Sequence, residues 1–279
     1  MALFVNHLTH LDVSIWSPVH GLTGMSWLVN ATLEGELGDD GMLLDFGEVK
    51  PWIKRVLDAG PDHTLLVPQH ADGVAVKFDD KHCTVETQHP YAIRLETPPE
   101  AVTALPTAEV SEADILVHCE ALLNAQRPPN VSRVTLTLSA ETIDGAAFGY
   151  SHGLKRHLGN CQRIAHGHRS RLEIYQHGQR VFQLEQQWRD WLNHRYLIEA
   201  EDIAETSQEG QILYRYHSTQ GSFSLALPES RTAVLKVPTT IENIAQWLAD
   251  KVATQTGEPT RTVVFEGISK GATAEASGA

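Results

Sequence analysis

One plan of elements is written twice in this chain, and that repetition limits the folds open to it more than any single motif. The first half carries His20-Gly21-Leu22, an apolar run from Trp27 to Leu33, a turn at Gly38-Asp39-Asp40-Gly41, the stretch Met42 to Lys50, and Asp62-His63-Thr64-Leu65-Leu66. The second half carries His166-Gly167-His168, the stretch Arg171 to Tyr175, a turn at His177-Gly178, the stretch Val181 to Glu185, and Asn193-His194-Arg195-Tyr196-Leu197. Further on, Pro106 to Glu112 opens a helical segment in one half and Pro238-Thr239-Thr240-Ile241-Glu242-Asn243 opens another in the second. Each leads to a β-rich run that ends in glutamate, at Glu141 and Glu266. Two halves of about 140 residues on one plan point to a tandem duplication.

Each half reads as two strands, a pair of helices and two strands, an α+β plan with antiparallel pairing. Pro51 suits the first turn of a helix whose apolar stripe is Trp52, Ile53, Val56 and Leu57. Phe182, Trp188, Trp191 and Leu192 suggest the core face of another, and Thr239 or Thr240 caps a third with Glu242 in its first turn. The expected boundaries are residues 1–142 for the first unit and 143–269 for the second. The Ala-, Gly-, Ser- and Thr-rich stretch 270–279 is expected to be disordered. The extended segment from Gln69 to Glu100 is open to reading as a lid, an oligomer contact or a decoration.

The composition is that of a globular protein, with no run near the roughly 20 apolar residues of a membrane span and no basic-then-apolar leader. Three cysteines, Cys83, Cys119 and Cys161, argue for free thiols in a reducing cytoplasm. A net charge of −13 argues against general nucleic-acid binding. Against that background the segment 151–195 carries eight basic and three acidic residues, a local positive field suited to an anionic substrate.

The chemistry concentrates in the second half. Strand side chains alternate faces, so His166 and His168 point the same way and can share one ion. With His152 upstream they make a three-histidine set, which leaves a coordination position open for water or substrate. Cys161 beside that set is a candidate nucleophile or acid.

At these residues the chain resembles the 6-pyruvoyltetrahydropterin synthase and 6-carboxytetrahydropterin synthase family. The resemblance lies in Phe148-x-x-Ser151-His152, Cys161 followed by His166-Gly167-His168, Gly41 to Lys50, Asp62-His63, and Pro238 to Asn243. It implies two tandem T-fold (ββααββ) units whose strands join a barrel with helices outside. It implies zinc on His152, His166 and His168, a catalytic Cys161, and an Asp62-His63 pair supplied from a neighbouring unit. It further implies a pterin anchored by a glutamate matching Glu266, with Glu141 as its first-half counterpart, and Thr240 and Glu242 in the substrate-binding motif. The implied activity is that of a zinc-dependent pterin lyase acting on 7,8-dihydroneopterin triphosphate, by the 6-carboxytetrahydropterin synthase reaction of 7-deazaguanine (queuosine) biosynthesis or by the triphosphate elimination of 6-pyruvoyltetrahydropterin synthase, which these motifs do not separate; a pterin-binding T-fold without catalysis is the alternative from another class.

The two halves depart from the family pattern in complementary ways. The first has Leu22 at the place matched to His168 and no cysteine before His20, so its metal site is degenerate. The second has Asn193-His194 where the first has Asp62-His63, and an amide cannot hold a charge against an imidazolium. Metal and thiol from one unit meeting the dyad of the other would make one competent site per chain. The expected assembly is a homotrimer forming a pseudo-hexamer, or a stack of two.

Overall fold

The computed structural model describes residues 1–207 and 210–278. The strands and helices of the first half are β1 (Ala2–Ser17), β2 (Gly21–Gly35), α1 (Phe46–Ala59), β3 (Leu65–Pro68), β4 (Val74–Phe78), β5 (Cys83–Thr87), β6 (Ile93–Thr97), β7 (Val102–Leu105), α2 (Glu112–Ala125) and β8 (Val131–Ser139). The second half runs β9 (Ala146–His152), β10 (His166–Gln176), β11 (Gln179–Arg180), α3 (Phe182–Leu192), β12 (Arg195–Glu199), β13 (Ile203–Thr206), β14 (Gln211–Ser218), β15 (Gly221–Pro228), β16 (Thr232–Leu235), α4 (Ile241–Thr256), β17 (Thr260–Phe265) and β18 (Gly271–Ala276). No described helix is long and apolar enough to cross a membrane.

The α+β class stands, with three corrections to the expected plan. The two helices of each half are not consecutive, because strands intervene between them. The pairing is mixed rather than antiparallel. One sheet has the order β7-β3-β1-β2-β8, with parallel β1–β3 and β3–β7, and the second has β16-β12-β9-β10-β17-β18, with parallel β9–β12 and β12–β16. A helical crossover between β2 and β3 returns the chain in the same direction as β1, which is why those neighbours run parallel. Within the stretch expected to be a disordered tail, whose last residue lies outside the described ones, Gly271–Ala276 is instead a strand that pairs with β17 from Thr260↔Ala276 to Phe265↔Gly271 and covers the face of α4. Its small residues fit the close approach to that helix.

Asp45 caps α1 by accepting from the Gly47 amide, so the helix begins before Pro51, which lies inside it rather than in its first turn. The predicted stripe Trp52, Ile53, Val56 and Leu57 is buried. In α3 the expectation holds for buried Leu192, whereas Phe182 and Trp191 are exposed. Their rings lie under the guanidiniums of Arg180 and Arg195.

The third sheet, β13-β14-β15-β6-β5-β4, joins the halves, and its order reads the same from both ends. Strands β6 and β15 meet at Leu95↔Leu225, two fully buried leucines. The Gln69–Glu100 extension is thus none of the three expected things: it is a contact between the halves of one chain, with a counterpart in strands β13 to β15. Elsewhere β1 and β2 pack face to face on β9 and β10. Glycine makes that approach possible: a Cβ on Gly24 would lie 2.1 Å from the Tyr150 carbonyl, and one on Gly167 would lie 2.8 Å from Gly24 Cα. At the centre the hydroxyls of Ser14 and Ser151 hydrogen-bond at 2.7 Å. Among the described residues the two main sheets share no strand pairing.

Candidate active site

Hydrogen-bond register aligns the repeats residue by residue. Ser14 pairs with Gly24 and Leu65, as Ser151 pairs with Gly167 and Tyr196. On that register His152, His166 and His168 correspond to Ile15, Thr23 and Met25. The motif match of His20-Gly21-Leu22 to His166-Gly167-His168 is thus corrected by three residues. The first half holds no metal ligand at any of the three places.

In the second half β9 and β10 put His152 opposite His166, with His168 two residues along on the same face. Each of the three offers a ligand atom within 4.8 Å of the others, and all three rings are buried. His152 Nδ1 lies 2.9 Å from the Thr239 carbonyl, and His166 Nδ1 lies 3.0 Å from the Arg163 carbonyl. A carbonyl only accepts, so both rings donate through Nδ1 and keep a free lone pair on Nε2. Both Nε2 atoms are buried without a partner. Burial, then the neighbouring histidines, holds both imidazoles well below the ordinary pKa, in the neutral form that a metal needs. Orphaned, neutral and convergent nitrogens fit a zinc ion.

The Asp62-His63 pair of the first half stands at the same place. His63 Nδ1 is 2.7 Å from Asp62 Oδ2, and the His63 ring centroid is 5.3 Å from that of His166. The dyad sits in the turn between α1 and β3, where His63 adopts a left-handed φ of 58°. Main-chain bonds from Asp62 N to Leu57 O and from His63 N to Asp12 O hold that turn. Burial works against a charge on His63, but its hydrogen bond to the Asp62 carboxylate, with Cys161 also near, pushes its pKa up to about 10. His63 therefore links the aspartate to the thiol. Cys161 is half-buried on the short turn Asn160–Gln162. The third sheet pins its neighbours: Tyr216 donates to the Gln162 carbonyl, Thr219 to the Gln162 side chain, and Gln220 to Asn160. A cleft of about 650 Å³ reaches Cys161 and His63 and is edged by Lys54, Arg55 and Asp58 of α1 and by His157.

The expected substrate residues divide. Glu266 adjoins the centre, with Oε2 3.8 Å from Lys270 Nζ, which is in turn 3.6 Å from Asp12 Oδ2. Thr240 caps α4 and lines a pocket of about 220 Å³ with Leu154, Lys155 and His157, while its neighbour Thr239 holds His152. Glu242 is exposed in the first turn of α4. Glu141 is held by arginines instead, through its carbonyl to Arg169 and its side chain 3.7 Å from Arg171.

The positive field expected from residues 151–195 is largely compensated. Lys155 pairs with Glu201 and Asp202, Arg180 with Glu185, and Arg189 with Asp190. Arg163 is buried and donates to the Asp62 carbonyl. The cations that face the cleft come from α1. Asp12 and Lys270 were not legible as site residues, since one lies in a plain strand and the other in a stretch composed like a tail.

The opposite junction has another content. Asn193 and His194 mirror the dyad, with the same left-handed backbone at His194, φ 61°. His194 Nδ1 bonds Thr23 at 2.8 Å, at the place of a metal ligand, and its ring stacks on His20 at 4.6 Å. Burial, with His20 and Arg231 nearby, lowers its pKa to about 4.

A buried three-histidine set that could hold a metal, with a thiol and an Asp-His dyad, is carried on paired β-hairpins backed by helices, a combination of groups that suits metal-assisted acid-base chemistry. The 6-pyruvoyl tetrahydropterin synthase family model matches residues 6–147 and again 142–277, so the chain belongs to that family as a tandem member. Similar solved structures include Plasmodium vivax 6-pyruvoyltetrahydropterin synthase, at 2.2 Å resolution and as a catalytic-residue mutant. For that protein identity is 18%, covering 50% of this chain and 90% of the other, with TM-scores of 0.39 and 0.40. The Plasmodium falciparum enzyme stands at 17%, with the same coverage and a TM-score of 0.39. Curated protein sequences returned no match.

Proposed function

We propose that this chain is a zinc-dependent lyase acting on 7,8-dihydroneopterin triphosphate, with the 6-carboxytetrahydropterin synthase reaction that feeds 7-deazaguanine (queuosine) formation. One arrangement supports the reading above all: His152, His166 and His168 of the second half lie beside Cys161 and against Asp62-His63 of the first, within a single chain. The three histidines would hold zinc, which when bound acts as a Lewis acid toward negative charge developing on a substrate oxygen.

The chain's own groups move the protons. His63, charged and near Cys161, is placed to give a proton to the developing oxyanion or to the thiolate. Asp62 keeps Nδ1 protonated and so directs exchange through the other ring nitrogen. Glu266 is the group to anchor the pterin ring, since a carboxylate matches adjacent ring N–H donors. Arg55 and His157 at the cleft are suited to the triphosphate, whereas Lys54 is paired with Asp58 and most of the lysines and arginines of residues 151–195 are paired as well.

The same groups serve triphosphate elimination without carbon-carbon cleavage, the 6-pyruvoyltetrahydropterin synthase reaction, and the description of the matching family model favours this second reading. Incubation with dihydroneopterin triphosphate separates the two, because acetaldehyde forms only if a carbon-carbon bond breaks. Purified protein without stoichiometric zinc, together with unchanged turnover in Cys161→Ala, would replace both with a non-catalytic pterin-binding role. Three chains closing a barrel, each with one working and one degenerate site, is the proposed assembly. A stable monomer with full activity in native mass spectrometry contradicts it.

A further inference from the structure

The three metal-facing histidines are held in different ways. His152 and His166 each donate Nδ1–H to a main-chain carbonyl of their own half. His168 Nδ1 makes no hydrogen bond; it lies at an ion-pair distance of 3.3 Å from Oδ1 of Asp12, which belongs to β1 of the first half. This carboxylate is almost fully buried, and its surroundings are built for it. Ser26 donates to Oδ1, Lys270 Nζ is 3.6 Å from Oδ2, and position 267 is glycine where a Cβ would lie 2.7 Å from Oδ1.

The main chain of the same residue grips the dyad. Asp12 N–H donates to Asp62 Oδ1 at 3.0 Å, and Asp12 C=O accepts from His63 N–H at 2.8 Å. The main-chain part is duplicated in the second half, where Gly149 N–H donates to Asn193 Oδ1 and Gly149 C=O accepts from His194 N–H. The side-chain part is not. Gly149 occupies the place of Asp12, Met25 occupies the place of His168, and a Cβ on Gly149 would lie 2.6 Å from the Gly24 carbonyl. An acid is present at the one junction where it can face a histidine ligand.

We propose that Asp12 is a positioning residue of the metal centre, a carboxylate lent by the first half that orients His168 for the ion while its backbone fixes Asp62-His63 beside it. A carboxylate behind an imidazole sets which nitrogen carries the proton, aims the other at the metal, and raises the ligand's basicity. The first half has lost its own ligands but still supplies an anion to its neighbour's site. The inference rests on the reading of the three histidines as a zinc site.

The test is zinc affinity by chelator competition for the parent chain, Asp12→Asn and Asp12→Ala, with the unfolding temperature of each metal-free protein measured alongside. Loss of such a partner weakens metal binding by about 10–100-fold, so Asp12→Ala is expected in that range. Asp12→Asn, which keeps volume and an acceptor, is expected to be weakened by a smaller factor and to remain folded if the alanine variant does not. NMR of the zinc-loaded protein gives a second readout that a merely structural role would not move: the His168 Nδ1–H proton, displaced downfield by the carboxylate, moves upfield in both variants. Parent-like affinity and an unmoved His168 proton in folded variants overturn this inference alone. A parent chain that takes up no zinc overturns the metal-site reading and this inference with it.

Discussion

Replacing Asp62 by asparagine turns the first dyad into the second, and the chain itself supplies the comparison. His63 beside Asp62 titrates at about 10, whereas His194 beside Asn193 is lowered to about 4. The gap between an ordinary imidazole at 6.5 and His63 corresponds to roughly 5 kcal/mol in favour of the charged ring. Asp62 is one of two partners, and a hydrogen bond to a charged group is worth about 1.5–3 kcal/mol. Asp62→Asn should therefore lower the titration of His63 by roughly 1–2 pH units, with Cys161 sustaining the remainder. Because the folded value lies above the unfolded one, the stabilisation is fully present below pH 6.5 and is lost as pH rises through about 10. The variant loses part of it, so its deficit in unfolding free energy is largest at neutral and acid pH and shrinks toward pH 10. The assay is an NMR titration of His63 in metal-free protein, with urea unfolding across that window. A His63 that titrates in the variant as in the parent, or a deficit that grows with rising pH, refutes the assignment of Asp62 as its partner.

Cys161→Ala is expected to abolish turnover while leaving zinc stoichiometry intact, since the thiol lies outside the three-histidine set; activity and metal content on one preparation check it. His166→Ala removes a ligand from the centre of that set and should release zinc, read by metal analysis after desalting. Leu225→Ala, at the midpoint of the joining sheet, is expected to cost about 2–5 kcal/mol in denaturant unfolding, because Leu225 is fully buried against Leu95. Gly24→Ala should cost about 1–3 kcal/mol, since the added methyl meets the backbone of β9, which cannot yield as a side-chain tip would.

The local readings that survived were those in which a short stretch carries its own reason. Alternation on β10 is enough to put His166 and His168 on one face, and Thr240 caps α4 because the hydroxyl and the helix start are four residues of one chain. The duplication and the complementary losses at Asp62-His63 and Asn193-His194 were also visible, because each is a residue identity at a motif position. Where register mattered, the sequence misled. His-Gly-Leu resembles His-Gly-His, yet the ladder puts Thr23-Gly24-Met25 in that place. A shift of three residues is invisible without the partner strand that defines it.

The sequence by itself determined the chemistry on offer: a histidine set, a thiol, a carboxylate-imidazole pair, and their unequal division between two copies of one plan. Only the tertiary structure decided who meets whom. That the dyad faces the histidines of the other half, that Asp12 stands behind His168, and that Lys270 leaves an apparent tail to join them all depend on two sheets packed at glycine distance and on a hairpin closing over α4. Contacts between residues a hundred or more positions apart are set by which surfaces can be buried together, and composition and spacing along one strand do not carry that information.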